Sequence, residues 1–297
     1  MLNKLKKVIK NPGLAKGILA RKAKKIVLPK KYVGDINNRS ESDTGHYVSF
    51  VEKACNNYKL FANFKRNSIY NDILEHVSYE TGLKYLKIIL NQSPDFISTN
   101  LMNSFKINDS IGNPRMYSYD GVGRISPSTL RYIKIASDIK NYFGDLNGKK
   151  IAEIGVGYGG QFLILDQLYK MRYTLFDLDP VLNLTSKYLE CHILNSTYKT
   201  TTLNRRSDDF DCDLIISNYA FSELPSQLQL AYLENIISKA KMGYMIMNSG
   251  MSDSVFKINK LNIEAITKHI QGLEILEEQP YIMPGTYLLV WGRNISK

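Results

Sequence analysis

Residues 153–160 read Glu-Ile-Gly-Val-Gly-Tyr-Gly-Gly. They follow a strand-like run and open a helical one, the setting in which a glycine-rich turn lets backbone come close to a ligand. Gly155, Gly157 and Gly160 also fit the G-x-G-x-x-G spacing of dinucleotide sites, so two ligands compete for this turn. Glu153 separates them. A dinucleotide brings an anionic pyrophosphate, which a carboxylate at the strand end repels. S-adenosylmethionine brings an ammonium and a sulfonium, which the same carboxylate attracts. On that reading Glu153, Gly155, Gly157, Tyr158 and Gly159 form the cofactor turn. Asp177 ends the next strand, twenty-two residues after Gly155, where an acid can hold the ribose hydroxyls of either ligand. Asp179 is the poorer choice, because Pro180 already begins the following helix.

The elements that must position these residues alternate after Gly148. Strand signals at 149–154, 172–176, 213–217 and 244–247 are interleaved with helix signals at 159–170, 180–190 and 227–241. A helix around 261–270 and strands at 274–277 and 287–291 close the chain. This is the rhythm of a doubly wound α/β sheet that ends in an antiparallel hairpin. Ahead of it, from His46 to about Leu90, apolar residues recur at helical spacing (Val48, Val51, Ala54; Ile69, Ile73; Leu83, Leu86, Ile89), which predicts two to four helices. Residues 108–126 are loop-like, and Ser128 is expected to cap a helix that Gly144 ends. The expected organisation is a leader at 1–31, a helical extension at 32–125 and the α/β domain at 126–297.

Three segments carry a resemblance: Ser126-Pro-Ser-Thr-Leu-Arg-Tyr132, residues 153–161, and Ser217-Asn-Tyr-Ala-Phe-Ser-Glu-Leu224. Together they resemble the sugar O-methyltransferase family of bacterial surface-polysaccharide clusters, over about residues 45–292. The acid-x-Gly-x-Gly-x-Gly pattern is similar to the first motif of class I S-adenosylmethionine-dependent methyltransferases, and the closing strand pair resembles their terminal antiparallel hairpin. The resemblance implies a Rossmann-like methyltransferase sheet, S-adenosylmethionine as cofactor, and an acceptor hydroxyl on a sugar, nucleotide sugar or lipid-linked glycan. A methyltransferase for another small molecule and a nicotinamide-dependent oxidoreductase stay open beside it.

A sugar hydroxyl is a poor nucleophile at neutral pH, so a base that removes its proton helps the in-line displacement. The loop after the 213–217 strand is placed for that role and carries Asn218, Tyr219, Ser222 and Glu223. Asn218 is expected along the cofactor and Glu223 as the base. The alternative for Glu223 is an acid stabilised near the start of the next helix. His46 and His76, in the extension, are the next candidates. Arg131 and Tyr132 could reach the cofactor's carboxylate or cover its adenosine, or be ordinary helix-face residues. Asp120, Arg124, Tyr117 and Tyr119 could contact a sugar or simply occupy a loop. No His, Cys or Asp grouping has metal-ligand spacing, so no metal is expected.

Composition narrows the partners. The net charge is +11, yet eleven Lys or Arg and no acid fall within residues 1–31, so the rest of the chain is formally neutral. A basic nucleic-acid-binding face on the catalytic body is therefore unsupported. Among the lysines stand Leu5, Val8, Ile9, Ile18 and Leu19, broken by Asn11-Pro12-Gly13. That pattern predicts a basic amphipathic segment for an anionic membrane surface or a partner protein, or a solvated tail. It resembles the Lys-rich leaders of some bacterial polysaccharide-assembly enzymes, which implies polysaccharide-assembly proteins as possible partners. No apolar run reaches transmembrane length, and three sparse cysteines suit a reducing compartment, so a cytoplasmic or peripheral-membrane location is expected.

Overall fold

The computed structural model describes residues 46–248 and 260–294. The chain divides into two units, residues 1–36 and 37–297, and all described residues belong to the second. The expected leader at 1–31 lies outside the described residues.

Seven strands form one sheet: β3 (Lys150–Ile154), β4 (Arg172–Phe176), β5 (Thr197–Thr201), β6 (Cys212–Asn218), β7 (Ala240–Met247), β8 (Glu274–Glu277) and β9 (Tyr287–Trp291), in the order β5-β4-β3-β6-β7-β9-β8. The first five in that order are parallel, and β9 runs antiparallel to both β7 and β8. The sheet is thus doubly wound with a closing hairpin. The chain winds outward from β3 to β5, then returns to β6 on β3's other side, so the carboxyl ends of β3 and β6 flank the point where winding reverses. Because β8 runs with the parallel set, its carboxyl end reaches the same edge. The central strands are buried almost throughout, as apolar strands covered on both faces must be.

The extension contributes α1 (His46–Asn56), α2 (Tyr58–Phe61), α3 (Ser68–Ile73), α4 (Tyr79–Gln92) and α5 (Thr99–Phe105). One apolar cluster runs from Val51, Phe64 and Ile89 through α6 (Pro127–Phe143) to Leu175 and Ile216. A second, with Phe176, Phe221, Leu233 and Trp291, fills the other side of the sheet under α9 (Ser226–Asn235) and α10 (Ile263–Thr267).

Several expectations shift. The cap of α6 is Ser126, not Ser128: Pro127 takes the first helical position, and Ser126 Oγ accepts from the Thr129 N–H at 3.1 Å. Buried Asp109 locks this turn, accepting from Ser126 N–H and Oγ, both at 2.7 Å, and from Thr129 Oγ1 at 2.6 Å. Gly144, at φ +73, ends the helix as expected. Within the stretch read as loop, β1 (Tyr117–Tyr119) and β2 (Gly123–Ile125) pair as a small hairpin. The helix after the glycine loop, α7 (Gly160–Asp166), is shorter than expected, and the carboxylate of its last residue accepts from the N–H groups of Asn195 and Ser196 at 3.0 and 2.7 Å. The next helix, α8 (Asp179–Leu189), matches its expected span to within a residue. β5 is a polar, exposed edge with no apolar alternation for a sequence reading to find.

Candidate active site

The glycine loop springs from the carboxyl end of β3 with Gly155, Gly157 and Gly159 all at positive φ. A Cβ on Gly155 would stand 2.0 Å from the Ala220 Cβ, so glycine is what lets the turns after β3 and β6 touch. A Cβ on Gly157, at φ +56, would meet Leu74 of the extension at 3.1 Å. The extension therefore closes over the loop.

Asp177 ends β4 beside this turn. Its Oδ2 accepts the Gly157 N–H at 3.2 Å and its Oδ1 the Leu178 N–H at 2.7 Å. Burial pushes its carboxyl up to about 6, against the opposing pull of these N–H groups. Asp179 instead pairs with Arg205 at the surface. Glu153 is buried in the middle of the sheet's edge. Its Oε2 accepts the Tyr173 hydroxyl at 2.9 Å. Burial lifts its carboxyl to about 8; the Tyr173 bond opposes that and the Asp177 charge adds to it. Two carboxyls that hold protons unusually tightly thus stand at the strand ends of β3 and β4.

The Tyr158 side chain does not line the loop. It is 1% exposed and packs among Phe64, Tyr188 and Lys65, whose Nζ lies 4.0 Å from its ring centre. Its hydroxyl accepts from Asn108 Nδ2 at 3.0 Å. Tyr158 braces the loop against the extension. The fully buried Lys65 completes this strut: it donates to the Asn108 carbonyl at 2.5 Å, and burial lowers its ammonium to about 8.

On the other side of the reversal point, Asn218 ends β6 and its Oδ1 is buried without a partner. Glu223 closes the 3-10 turn that follows, with its Oε1 accepting from Asn248 Nδ2 at 3.0 Å just beyond β7. Arg131, on the first turns of α6, is buried. Its Nη2 donates to the Leu74 carbonyl at 3.2 Å, and its Nε has no partner. In the β1–β2 hairpin Tyr119 stacks on Tyr79 and Tyr117 meets the same ring at a tilt, while Asp120 and Arg124 are exposed there. His76 is exposed.

The buried acids not singled out from the sequence include Asp109, Glu75 and Glu278. Asp109 is the lock described above. Glu75, which follows the short helix α3, has its Oε1 unpartnered and its carboxyl raised by burial. Glu278 follows β8 and is 3% exposed. Nothing in Glu277-Glu278-Gln279-Pro280 marks the second of two adjacent acids as buried. Among the described residues no group of three or more His, Cys, Asp or Glu side chains gathers as a metal site.

No family model matches the chain, and no curated protein matches it. Solved structures with a similar fold include a magnesium protoporphyrin IX methyltransferase from Synechocystis with bound S-adenosylhomocysteine (13% identity, 69% of this chain and 97% of that one, TM-score 0.41). They also include an rRNA methylase from Streptococcus thermophilus (15%, 55% and 96%, TM-score 0.39). A TehB-like methyltransferase from Corynebacterium glutamicum is a third (17%, 55% and 85%, TM-score 0.37). At these identities the likeness concerns fold alone.

Proposed function

We infer that the chain is an S-adenosylmethionine-dependent O-methyltransferase acting on a hydroxyl of a sugar or surface-polysaccharide precursor. The observation that carries the cofactor is the pairing of Asp177 with the Gly157 N–H beside buried Glu153, at the reversal point of the sheet. The Asp177 carboxylate disfavours a pyrophosphate there, and a cation bound beside Glu153 would favour its ionised form. The surrounding groups fit S-adenosylmethionine. The loop from Gly155 to Gly159 leaves room at backbone level. Asp177 would exchange its N–H contacts for ribose hydroxyls, and Glu153 would face the ammonium or sulfonium. The unpartnered Asn218 Oδ1 and Arg131 Nε are a buried acceptor and a buried cationic donor awaiting groups. The cofactor supplies a methyl carbon activated by a positive sulfur. The chain's own residues orient it and exclude water.

The sugar acceptor rests on the sequence resemblance. It is supported by a polar, tyrosine-rich surround that includes Tyr85, Tyr219 and Arg131. Calorimetry tests the cofactor. S-adenosylmethionine and S-adenosylhomocysteine should bind and NADH should not; the reverse order would establish the oxidoreductase reading.

The leader would hold the enzyme at an anionic membrane or at polysaccharide-assembly proteins. Each Lys or Arg near such a membrane contributes up to about 1 kcal/mol. No helix among the described residues is long and apolar enough to cross a membrane. Deleting residues 1–31 should end salt-sensitive sedimentation with phosphatidylserine vesicles and leave cofactor affinity unchanged. Sedimentation of the truncated protein would place the contact elsewhere.

A further inference from the structure

A methyltransferase that acts on a hydroxyl must receive a proton, and this inference rests on the reading above. Two residues that the sequence holds far apart meet at the sheet's carboxyl edge. Tyr219 follows β6 directly, Glu278 follows β8, and the Tyr219 hydroxyl donates to Glu278 Oε1. Tyr219 stands at φ +70, one of two non-glycine residues among those described with a left-handed backbone. That conformation costs on the order of 1 kcal/mol or more and persists only where the surroundings impose it. Ser222 imposes it from the backbone side, donating its N–H and its hydroxyl to the Tyr219 carbonyl at 2.9 and 2.6 Å.

Glu278 Oε2 has no partner although the residue is 3% exposed. A buried carboxylate oxygen without a donor is costly, and folds retain one where a ligand completes it. The Arg131 Nε is likewise buried without a partner, and the charges of Arg131 and Glu278 both bear on Tyr85 and on Tyr219. An acceptor left unfilled on a carboxylate that Tyr219 holds, and an unfilled donor whose charge bears on the same tyrosine, thus mark this end of the site. Tyr219 stands between Asn218 and Ala220, the residue that packs on Gly155.

We propose that Glu278 is a catalytic residue that receives the acceptor hydroxyl on Oε2 and takes its proton, with Tyr219 as the positioning residue that fixes the carboxylate through Oε1. As the acceptor oxygen bonds to the methyl carbon, the carbon–sulfur bond breaks and its electron pair stays on sulfur. The hydroxyl proton passes to Glu278 Oε2 and leaves to solvent with the product. The charge balance closes: a sulfonium and a neutral hydroxyl become a thioether, an ether and one proton.

The test uses the full chain with methyl-labelled S-adenosylmethionine. The acceptors are UDP-glucose, UDP-N-acetylglucosamine, GDP-mannose, dTDP-rhamnose and molar glycerol as a minimal polyol. Wild type should form acceptor-dependent S-adenosylhomocysteine with at least one of them. Glu278→Gln should lower that rate by about 10²–10⁴-fold, with S-adenosylhomocysteine affinity by calorimetry within twofold of wild type. Tyr219→Phe should lower kcat by about tenfold with KM and cofactor affinity held, and it decides the matter if Glu278→Gln does not fold. A Glu278→Gln enzyme with more than a tenth of wild-type turnover overturns the proposal, as does a fully active Tyr219→Phe. So does a wild type that binds S-adenosylhomocysteine yet methylates none of these acceptors. A wild type that binds no S-adenosylhomocysteine overturns the function proposed above instead.

Discussion

The two halves of the candidate site are built differently. Around β3 and β4 the groups that matter are neighbours in sequence: Gly157 and Asp177 bond across twenty residues, as do Glu153 and Tyr173. One βαβ unit places them, through the strands β3 and β4 and the turn between. Around β6 and β8 the groups are assembled from afar. Tyr219 and Glu278 bond across fifty-nine residues, and Arg131 reaches Leu74 across fifty-seven. Under the proposed function the first half takes the cofactor, for which local backbone suffices, and the second half takes the acceptor, where the β6 turn and the closing hairpin meet.

The comparison breaks most sharply at the glycine loop. Gly157→Val puts a β-branched residue at φ +56 with its Cβ 3.1 Å from Leu74. Both the backbone and the packing resist it. Calorimetry should detect no S-adenosylmethionine binding in a variant that circular dichroism shows to be folded. Unchanged affinity would separate the glycine loop from the cofactor altogether.

Asp177→Ala comes next. Losing hydrogen bonds between a carboxylate and the ribose should weaken binding by about 1.5–3 kcal/mol, read as roughly a ten- to hundredfold rise in Kd. Asp179→Ala, which removes only a surface pair with Arg205, should leave Kd unchanged. The opposite ranking would reassign the ribose acid.

What a reader of the sequence can see follows the same division. The strand at 172–176, the closing strands at 274–277 and 287–291, and Asp177 at its strand end are where spacing and strand pattern put them. Those features are written in local periodicity and in glycine, whose backbone role survives any environment. Ser126 was displaced by two residues because the decisive partner, Asp109, lies seventeen residues upstream in the extension. Tyr158 carries no mark that its ring would meet Lys65 rather than a ligand. Glu278 is invisible for a like reason: its burial depends on a hairpin folding back over the β6 turn.

The raised carboxyls give a pH dependence that tests the first half from another side. Glu153 holds its proton more tightly in the fold, at about 8, than in the unfolded chain, near 4.5. The protonated fold is therefore favoured. The stability that Glu153 contributes is full below the unfolded value and is lost as pH rises through the folded one. A cation bound beside Glu153 favours the ionised form, so binding below about pH 8 should expel a proton. Affinity for S-adenosylmethionine should rise by up to about tenfold per pH unit. S-adenosylhomocysteine, which lacks the sulfonium, should gain less. Calorimetry at pH 7 in two buffers of different ionisation enthalpy reads the proton directly. No proton release, or release that survives Glu153→Gln, would move Glu153 away from the cation.

The smallest effect expected is at Glu223, the base that sequence position favours. Its carboxylate holds the Asn248 side chain, and the Asn248 backbone N–H donates to Ser222 Oγ at 3.1 Å. The Ser222 hydroxyl in turn bonds the Tyr219 carbonyl, so Glu223 stands at the outer end of a chain that ends at the strained residue holding Glu278. Glutamine keeps the size of Glu223 and can still accept from Asn248. Glu223→Gln should therefore lower turnover less than tenfold and leave cofactor affinity alone. A loss of 10²–10⁴-fold, the range for removing a general base, would return the proton to Glu223 and make Asn248 its positioning partner. The pair Glu223→Gln and Glu278→Gln, measured with the same acceptor, thus says which strand end takes the proton. The double variant separates the roles further. If Glu223 acts only through the chain to Tyr219, its small effect should vanish once Glu278 is already glutamine, because residues acting through one group are not additive.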